Sequence, residues 1–388
     1  MPAGWTESAA LQDVHTALKT VQQPISKAAT LPPACYTDQA LFEIEREAVF
    51  RSSWVGVGRA DRWKKPGDYS AMSLAGVPIV ILRDKQGELR AYANTCRHRG
   101  ARLLDGDGTC KGIKCPFHGW AYGLDGRLVG APRMERTEGF DRSEFGLVAF
   151  RIETVDGFAF VSFNDDAPAL DSALGDFSRL HAPWSLGTMV STRRREFEVA
   201  CNWKNFVEVF NEYYHLPYVH PDTVDGLYAL PDDPDETTGA YASQFGPTNG
   251  TGGLLEDQQE HALPTIPTLT GRNRDGVRYS WMFPNMTFAA SNEAMWVYEV
   301  YPVAPDRTWV GMTACFPPET VARDGFEQSA AHYYHRLDAA IAEDIPALES
   351  QQIGLTSPYA RQGRFSFLED SVARFAHWYA GRLADQLM

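Results

Sequence analysis

The chain has 388 residues, with 36 Lys and Arg against 50 Asp and Glu for a formal charge of −14, and it is 44% hydrophobic and 12% aromatic. That length accommodates two domains, each with its own core, and an acidic balance without a basic cluster excludes binding to a nucleic-acid backbone. No run of about 18 apolar residues is available to cross a bilayer, and the N-terminus lacks a basic flank ahead of an apolar stretch, so a cytoplasmic protein is expected, with no nucleic acid and no membrane among its partners.

Residues 1–45 predict an N-terminal helical segment: Leu11, Val14, Leu18 and Val21 recur at three- and four-residue spacing, and a second helix starts near Gln39 with Thr37 or Asp38 as its cap. Residues 46–165 change to short β-type runs, "YSAMSL", "VPIVILRD", "LRAYANT", "LVAFRIETV" and "FAFVSF", punctuated by Gly, Asp-Gly and Pro, which predicts an all-β domain. Residues 166–388 predict an α+β domain. A helix covers "NWKNFVEVFNEYYHL", strands follow at "YSWMF", "MTFAAS", "MWVYEVYPV" and "TWVGMTACF", and a long helix runs roughly from Asp324 to Ser350 with Tyr333, Leu337, Ile341, Ile345 and Leu348 on one stripe. Asp222 to Arg278, rich in Pro, Gly, Asp and Thr without periodicity, reads as a long mobile loop, either a lid or entrance or a surface excursion.

Six cysteines, at 35, 96, 110, 115, 201 and 315, do not read as a disulfide framework in this context. Two of them fall in "CRHRG" (96–100) and "CPFHGW" (115–120), each pairing a Cys with a His in a tight loop inside the β domain; the other four read as inert thiols. Structural zinc accepts two Cys and two His. A [2Fe-2S] cluster with two thiolates on one iron and two imidazoles on the other accepts them too. Zinc fingers segregate ligand types, Cys-x-x-Cys then His-x-x-x-His, whereas here each loop supplies one of each, which favours the cluster. Trp120 and Tyr122 follow as cover and as hydrogen-bond donors.

"CRHRG" followed by "CPFHGWAYGLDGRL" resembles the N-terminal domain of the Rieske non-haem iron oxygenase α subunits, the aromatic-ring-hydroxylating and quaternary ammonium oxygenases. The resemblance implies an α+β protein with an all-β Rieske [2Fe-2S] domain (46–165), held at Cys96, His98, Cys115 and His118. It also implies a catalytic mononuclear iron domain (166–388) with an antiparallel sheet and long helices, of helix-grip type.

A cluster relays electrons, so a recipient is expected in the second domain. "NEYYHLPYVHPDT" offers His215 and His220 preceded by Glu212; two His and a carboxylate on one face of Fe(II) leave positions open for O2 and substrate. A spacing of five is off the same-face helical spacing, but Pro217 can end the helix and swing His220 back. The family pattern makes His215 and His220 the iron ligands and places the third at Asp344 in "AAIAEDIPALESQQIGLTSP", with Asp338, Glu343 and Glu349 as local alternatives. It gives Glu212 the role of an inter-subunit electron-transfer bridge to a neighbour's Rieske histidine, His118, and hence a homotrimer.

Glu rather than Asp at 212, and the run "ESQQIGLTSPYARQGRFSFLEDSVARFAHWY", resemble the branch acting on quaternary ammonium compounds, although Leu216 stands where that branch often has Cys. The implied function is the terminal oxygenase, a monooxygenase or dioxygenase, of a multicomponent system that hydroxylates or oxidatively demethylates a small N-methyl or quaternary ammonium substrate. No Gly-rich dinucleotide fingerprint occurs, so NAD(P)H and flavin belong to a separate reductase, with or without a ferredoxin. Tyr213, Tyr214, Tyr218, Trp281, Phe283, Trp296 and Tyr298 are available for a cation cage, with ordinary core packing as the alternative. Arg272, Arg274 and Arg278 are available to capture an aromatic acid instead. An electron-transfer Rieske protein is the non-enzyme alternative.

Overall fold

The structure, a computed structural model, describes the backbone of residues 9–387 and the side chains of residues 13–384. The β-type runs of the first half form β1 (Trp54–Arg59), β2 (Asp68–Leu74), β3 (Val77–Arg83), β4 (Leu89–Ala93), β5 (Asp107–Thr109), β6 (Ile113–Lys114), β7 (Ala121–Tyr122), β8 (Leu128–Gly130), β9 (Ala149–Val155) and β10 (Phe158–Ser162). Seven of them make a sheet in the order β1-β10-β9-β4-β3-β2-β5, and β6-β7-β8 make a second, small one. "IVIL" in β3 and "FAFV" in β10 are unbroken apolar runs because both faces are covered: none of these residues is more than 1% exposed.

The second half forms β11 (Val190–Val199), β12 (Tyr241–Pro247), β13 (Gly276–Met282), β14 (Met286–Ala290), β15 (Met295–Ala304) and β16 (Arg307–Phe316). They pair antiparallel in the order β11-β16-β15-β14-β13-β12. The long helix Phe326–Leu355 lies against this sheet and buries Ala330, Tyr333, Leu337, Ile341 and Leu348, giving the expected β domain joined to an α+β domain. The two main sheets meet where β1 approaches β14 and β15. Asn285 accepts from Gly56 N at 2.9 Å and donates to Gly56 O at 3.0 Å, and any side chain at 56 would collide with Met286.

Val14, Leu18 and Val21 are buried on the helix Ala9–Val21, which packs on the C-terminal helix Asp370–Leu387; the side chain of Leu11 lies outside the described residues. Asp38 caps the helix Gln39–Glu45 by accepting from Leu41 N at 2.9 Å. Glu45, 1% exposed, accepts from Lys204 Nζ at 2.5 Å, from Tyr379 Oη at 2.6 Å and from Trp203 Nε1. One buried ion pair therefore ties the N-terminal segment, the helix Trp203–Phe210 and the C-terminal helix together, and losing either charge costs about 3–5 kcal/mol.

Three elements differ from the sequence reading. The helix expected over 202–216 stops at Phe210, because the Asn211 amide donates to Val207 O at 2.6 Å while its carbonyl accepts from Thr287 at 3.0 Å. The expected loop 222–278 contains β12, a fully paired edge strand. Its "YASQF" carries no apolar alternation because two polar residues are buried in it: Ser243 accepts from Arg278, and Gln244 donates to Asp232 O. The strand β11, "VSTRRREFEV", is hidden by its arginines, which pair with Asp338, Glu196 and Glu299.

Two candidate metal centres

The loop after β4 and the loop between β6 and β7 have the same backbone construction. Cys96 N donates to Ala101 O and Gly100 N to Cys96 O at 2.8 and 2.9 Å; Cys115 N donates to Trp120 O and Gly119 N to Cys115 O at 2.7 and 3.1 Å. Gly100 and Gly119 both sit at φ +74°, the left-handed conformation that closes each loop. The two loops bring His98 and His118 to a ring-centroid distance of 4.6 Å, with His98 stacked on Trp120 at 5.0 Å.

The donor chemistry fits a cluster. His98 Nδ1 is buried with no protein partner, as a ligand nitrogen must be when its metal is its partner. Burial raises the Cys115 thiol pKa, but the N–H groups of Phe117 and His118, with Cys96 beside them, bring it below the ordinary value and favour thiolate. Desolvation and the charges of His98 and Arg99 lower the His118 pKa, favouring the neutral ring that binds metal. Tyr122 Oη lies 3.3 Å from Cys96 Sγ. Burial, with nearby carboxylates adding to it, pushes Cys35 and Cys201 up to about 12 and Cys315 to about 11, as inert thiols.

At the second centre His215 and His220 cap opposite ends of one helical turn, Leu216–Val219, with Pro217 as its second residue. The break at Asn211 and this short turn bring histidines five apart onto one point. His215 Nδ1 meets Glu212 Oε1 at 2.6 Å and His220 Nδ1 meets Glu343 Oε2 at 2.7 Å. With each Nδ1–H donating to its carboxylate, the two Nε2 atoms are turned to the other side, as in a metal-ligating histidine. They face Asp344 Oδ1 at 3.7 and 3.0 Å. The shorter distance is within hydrogen-bond range but poorly aligned, so the buried Oδ1 has no well-formed partner, while burial is outweighed by the two acids Asp344 and Glu343, which raise the His220 pKa. Three acceptors within 4.8 Å of one another repel unless a cation lies between them; the residues fit an iron ion.

The alternatives to Asp344 are engaged elsewhere: Asp338 with Arg193 and Arg195, Glu349 with Ala200 N, and Glu343 with the outer nitrogen of His220. Beside its contact with His215 Nδ1, Glu212 accepts from the backbone N of Tyr214 and of His215.

A recess with about 490 Å³ of free space, its open mouth included, lies over the triad. Of the expected cage aromatics only Tyr213 and Tyr298 line it, joined by Phe210 and Tyr279. Tyr214 and Tyr218 are exposed, Trp281 and Phe283 pack on Phe375, and Trp296 lies under the Arg336 guanidinium at 4.8 Å. Arg272 pairs with Asp232 and Arg278 with Asp235, Arg274 is exposed, and none of the three lines the recess. The arginine that does is Arg336. Its signal in the sequence was its place eight residues before Asp344, two turns along the same side of a helix.

Comparison with known proteins places these centres in a family. Ring hydroxylating alpha subunit (catalytic domain) matches residues 186–385 and Rieske [2Fe-2S] domain matches residues 53–145. The chain belongs to the Rieske non-haem iron oxygenases, as an oxygenase α subunit that carries a [2Fe-2S] cluster and a mononuclear iron site at His215, His220 and Asp344.

Among its relatives is the carnitine monooxygenase oxygenase subunit of Acinetobacter pittii, 30% identical over 90% of this chain and 94% of that one. The glycine betaine monooxygenase oxygenase subunit of Pseudomonas aeruginosa is 26% identical over 92% of this chain and 90% of that one. A solved structure of the quaternary ammonium Rieske monooxygenase CntA with its substrate γ-butyrobetaine superposes with a TM-score of 0.75 at 28% identity, covering 95% of this chain and 98% of that one.

Proposed function

We propose that this oxygenase, fed by a separate reductase, hydroxylates a carbon next to the nitrogen of a quaternary ammonium or N-methyl substrate, and that the electron reaches its iron from the cluster of a neighbouring copy. The observation that carries this is the convergence of His215, His220 and Asp344 at the foot of a recess walled by Phe210, Tyr213, Tyr279 and Tyr298. When bound, the cluster supplies one-electron transfer and the iron supplies dioxygen activation. Substrate C–H, O2, two electrons and two protons become C–OH and water, and a hydroxymethyl on nitrogen then leaves as formaldehyde.

The protein's part is to hold and orient. Cys96, His98, Cys115 and His118 hold the cluster, with His118 on the exposed side of its loop beside Phe117. No residue of the two loops lines the recess, which supports a path that leaves the chain. A carboxylate offers about four acceptor positions; His215 Nδ1, His215 N and Tyr214 N occupy three at Glu212. The remaining position suits a donor from a partner's His118, and the exposed Tyr214 and Tyr218 beside it suit a partner surface. Such a head-to-tail contact closes into a ring, a trimer in this proposal. The aromatic walls, with His220 and Asp344 buried beneath them, keep water from the reacting carbon.

A second reading, oxidation of a carboxylic acid, is favoured by Arg336 in the wall of the recess. Single turnover of reduced holoenzyme tests the proposal. With an N-methyl substrate and O2 it should yield formaldehyde or hydroxylated product; His215→Ala should keep the visible spectrum of the cluster and yield none. Product from His215→Ala at the wild-type level would refute the assignment of the iron site.

A further inference from the structure

Arg336 is a charge without a counter-charge. It is 5% exposed, and no carboxylate pairs with it among the described residues. Its Nε is buried with no partner, its Nη2 reaches Tyr228 Oη only at 3.5 Å, and the polar groups around it are the neutral hydroxyls of Tyr228, Tyr279 and Tyr298, with Tyr279 in hydrogen-bond reach. The other deeply placed arginines each keep one buried N–H without a partner as well, but their guanidinium groups meet carbonyls or a carboxylate: Arg59 donates to the carbonyls of Asp156, Leu186 and Met189, Arg194 pairs with Glu299, and Arg278 pairs with Asp235. A buried guanidinium left this way is costly unless something anionic completes it. Trp296 beneath it, at 4.8 Å, holds its plane in place.

The fold supplies the direction. Arg336 precedes Asp344 by eight residues on the helix Phe326–Leu355, about 12 Å along its axis, and both line the same recess with Ala340 and Ile341 between them. An anion on Arg336 therefore stands at the end of the recess away from the iron ligands, and the rest of its molecule extends toward them past Tyr279 and Tyr298.

We infer that Arg336 is the receptor for a substrate carboxylate, so the substrate class is a carboxylate-bearing molecule held by that end while its other end meets the iron. Joined to the quaternary ammonium reading, on which only this last narrowing rests, the class becomes trimethylammonium carboxylates. A planar guanidinium fork suits a carboxylate, and the tyrosine and phenylalanine faces suit the methylated cation. A cation without a carboxylate finds an unneutralised positive charge in its pocket and binds poorly.

Calorimetric titration of oxygen-free holoenzyme tests this with four probes: γ-butyrobetaine, its primary amide, its isostere with tert-butyl in place of trimethylammonium, and benzoate. Wild type should bind γ-butyrobetaine about 30-fold or more tightly than the amide, the scale of losing one partner of a buried charged pair. Arg336→Gln should bind the two alike, with its cluster spectrum and iron content unchanged. If that variant does not fold, the acid-to-amide ratio of wild type still decides. Equal binding of acid and amide by wild type, an unchanged ratio in Arg336→Gln, or no binding of any carboxylate overturns the proposal. Binding of all three acids alike, with the amide excluded, upholds the carboxylate receptor and refutes the quaternary ammonium reading instead.

Discussion

Glu343 and Asp344 are adjacent acids with different tasks, and replacing each separates them. Glu343 Oε2 accepts from His220 Nδ1–H at 2.7 Å and from the Thr223 hydroxyl at 2.7 Å. It fixes the tautomer and the ring angle of one iron ligand without facing the iron. Carboxylates in that position are worth about 10–100-fold in metal affinity, or about 1.4–2.7 kcal/mol. Glu343→Ala should therefore weaken Fe(II) binding by a factor in that range, while Asp344→Ala, which removes a ligand and its charge, should prevent occupancy altogether. Anaerobic titration of iron-depleted protein against a competing chelator measures both, with the cluster spectrum as an internal check on folding. If Glu343→Ala left the affinity unchanged, or abolished binding as completely as Asp344→Ala, this division of roles would be wrong.

Tyr122→Phe removes the hydroxyl 3.3 Å from Cys96 Sγ and should lower the reduction potential of the cluster without loss of its iron, read by a redox titration. Glu212→Gln should leave both metals bound and slow cluster reoxidation during turnover, read by stopped-flow absorbance; normal reoxidation would count against the bridge. His181, 1% exposed and hydrogen-bonded to Phe177 O and Ser280 Oγ, has its pKa lowered by burial from 6.5 to about 3. Between those values the unfolded chain binds a proton that the folded chain does not, so stability is full above about pH 6.5 and falls by a few kcal/mol as pH drops toward 3. The urea midpoint measured against pH should show that slope, and His181→Gln should flatten it.

The cluster loops were legible because their ligands lie within a few residues of each other and the turn glycines sit beside them. His215 and His220 were legible as residues but not as geometry. The break at Asn211 depends on Thr287, seventy-six residues away, and only that break lets a spacing of five converge. Asp344 could be told from its neighbours once the helix face was fixed, since Asp338 and Glu349 turn to partners on other elements. The strand β12 stayed hidden because tertiary contacts, not periodicity, define it, whereas the C-terminal helix does carry a helical stripe, Val372, Phe375, Tyr379 and Leu383, that the sequence reading passed over. Arg336 was missed for a similar reason to β12: on the sequence it is one polar residue of a long helix, and that no acid among the described residues pairs with it is a property of the folded chain.

In the proposed assembly the electron crosses from one chain to the next, and mixed assemblies of two variants test that crossing most directly. Cys96→Ser chains lack the cluster and keep the iron site; His215→Ala chains keep the cluster and lack the iron site. Each alone should be inactive. Co-assembled at equal ratio, about one contact in four, one half times one half, joins an intact cluster to a neighbour's intact iron. Recovery of about a quarter of wild-type turnover is the predicted result, and activity no higher than that of the separate variants would contradict the account.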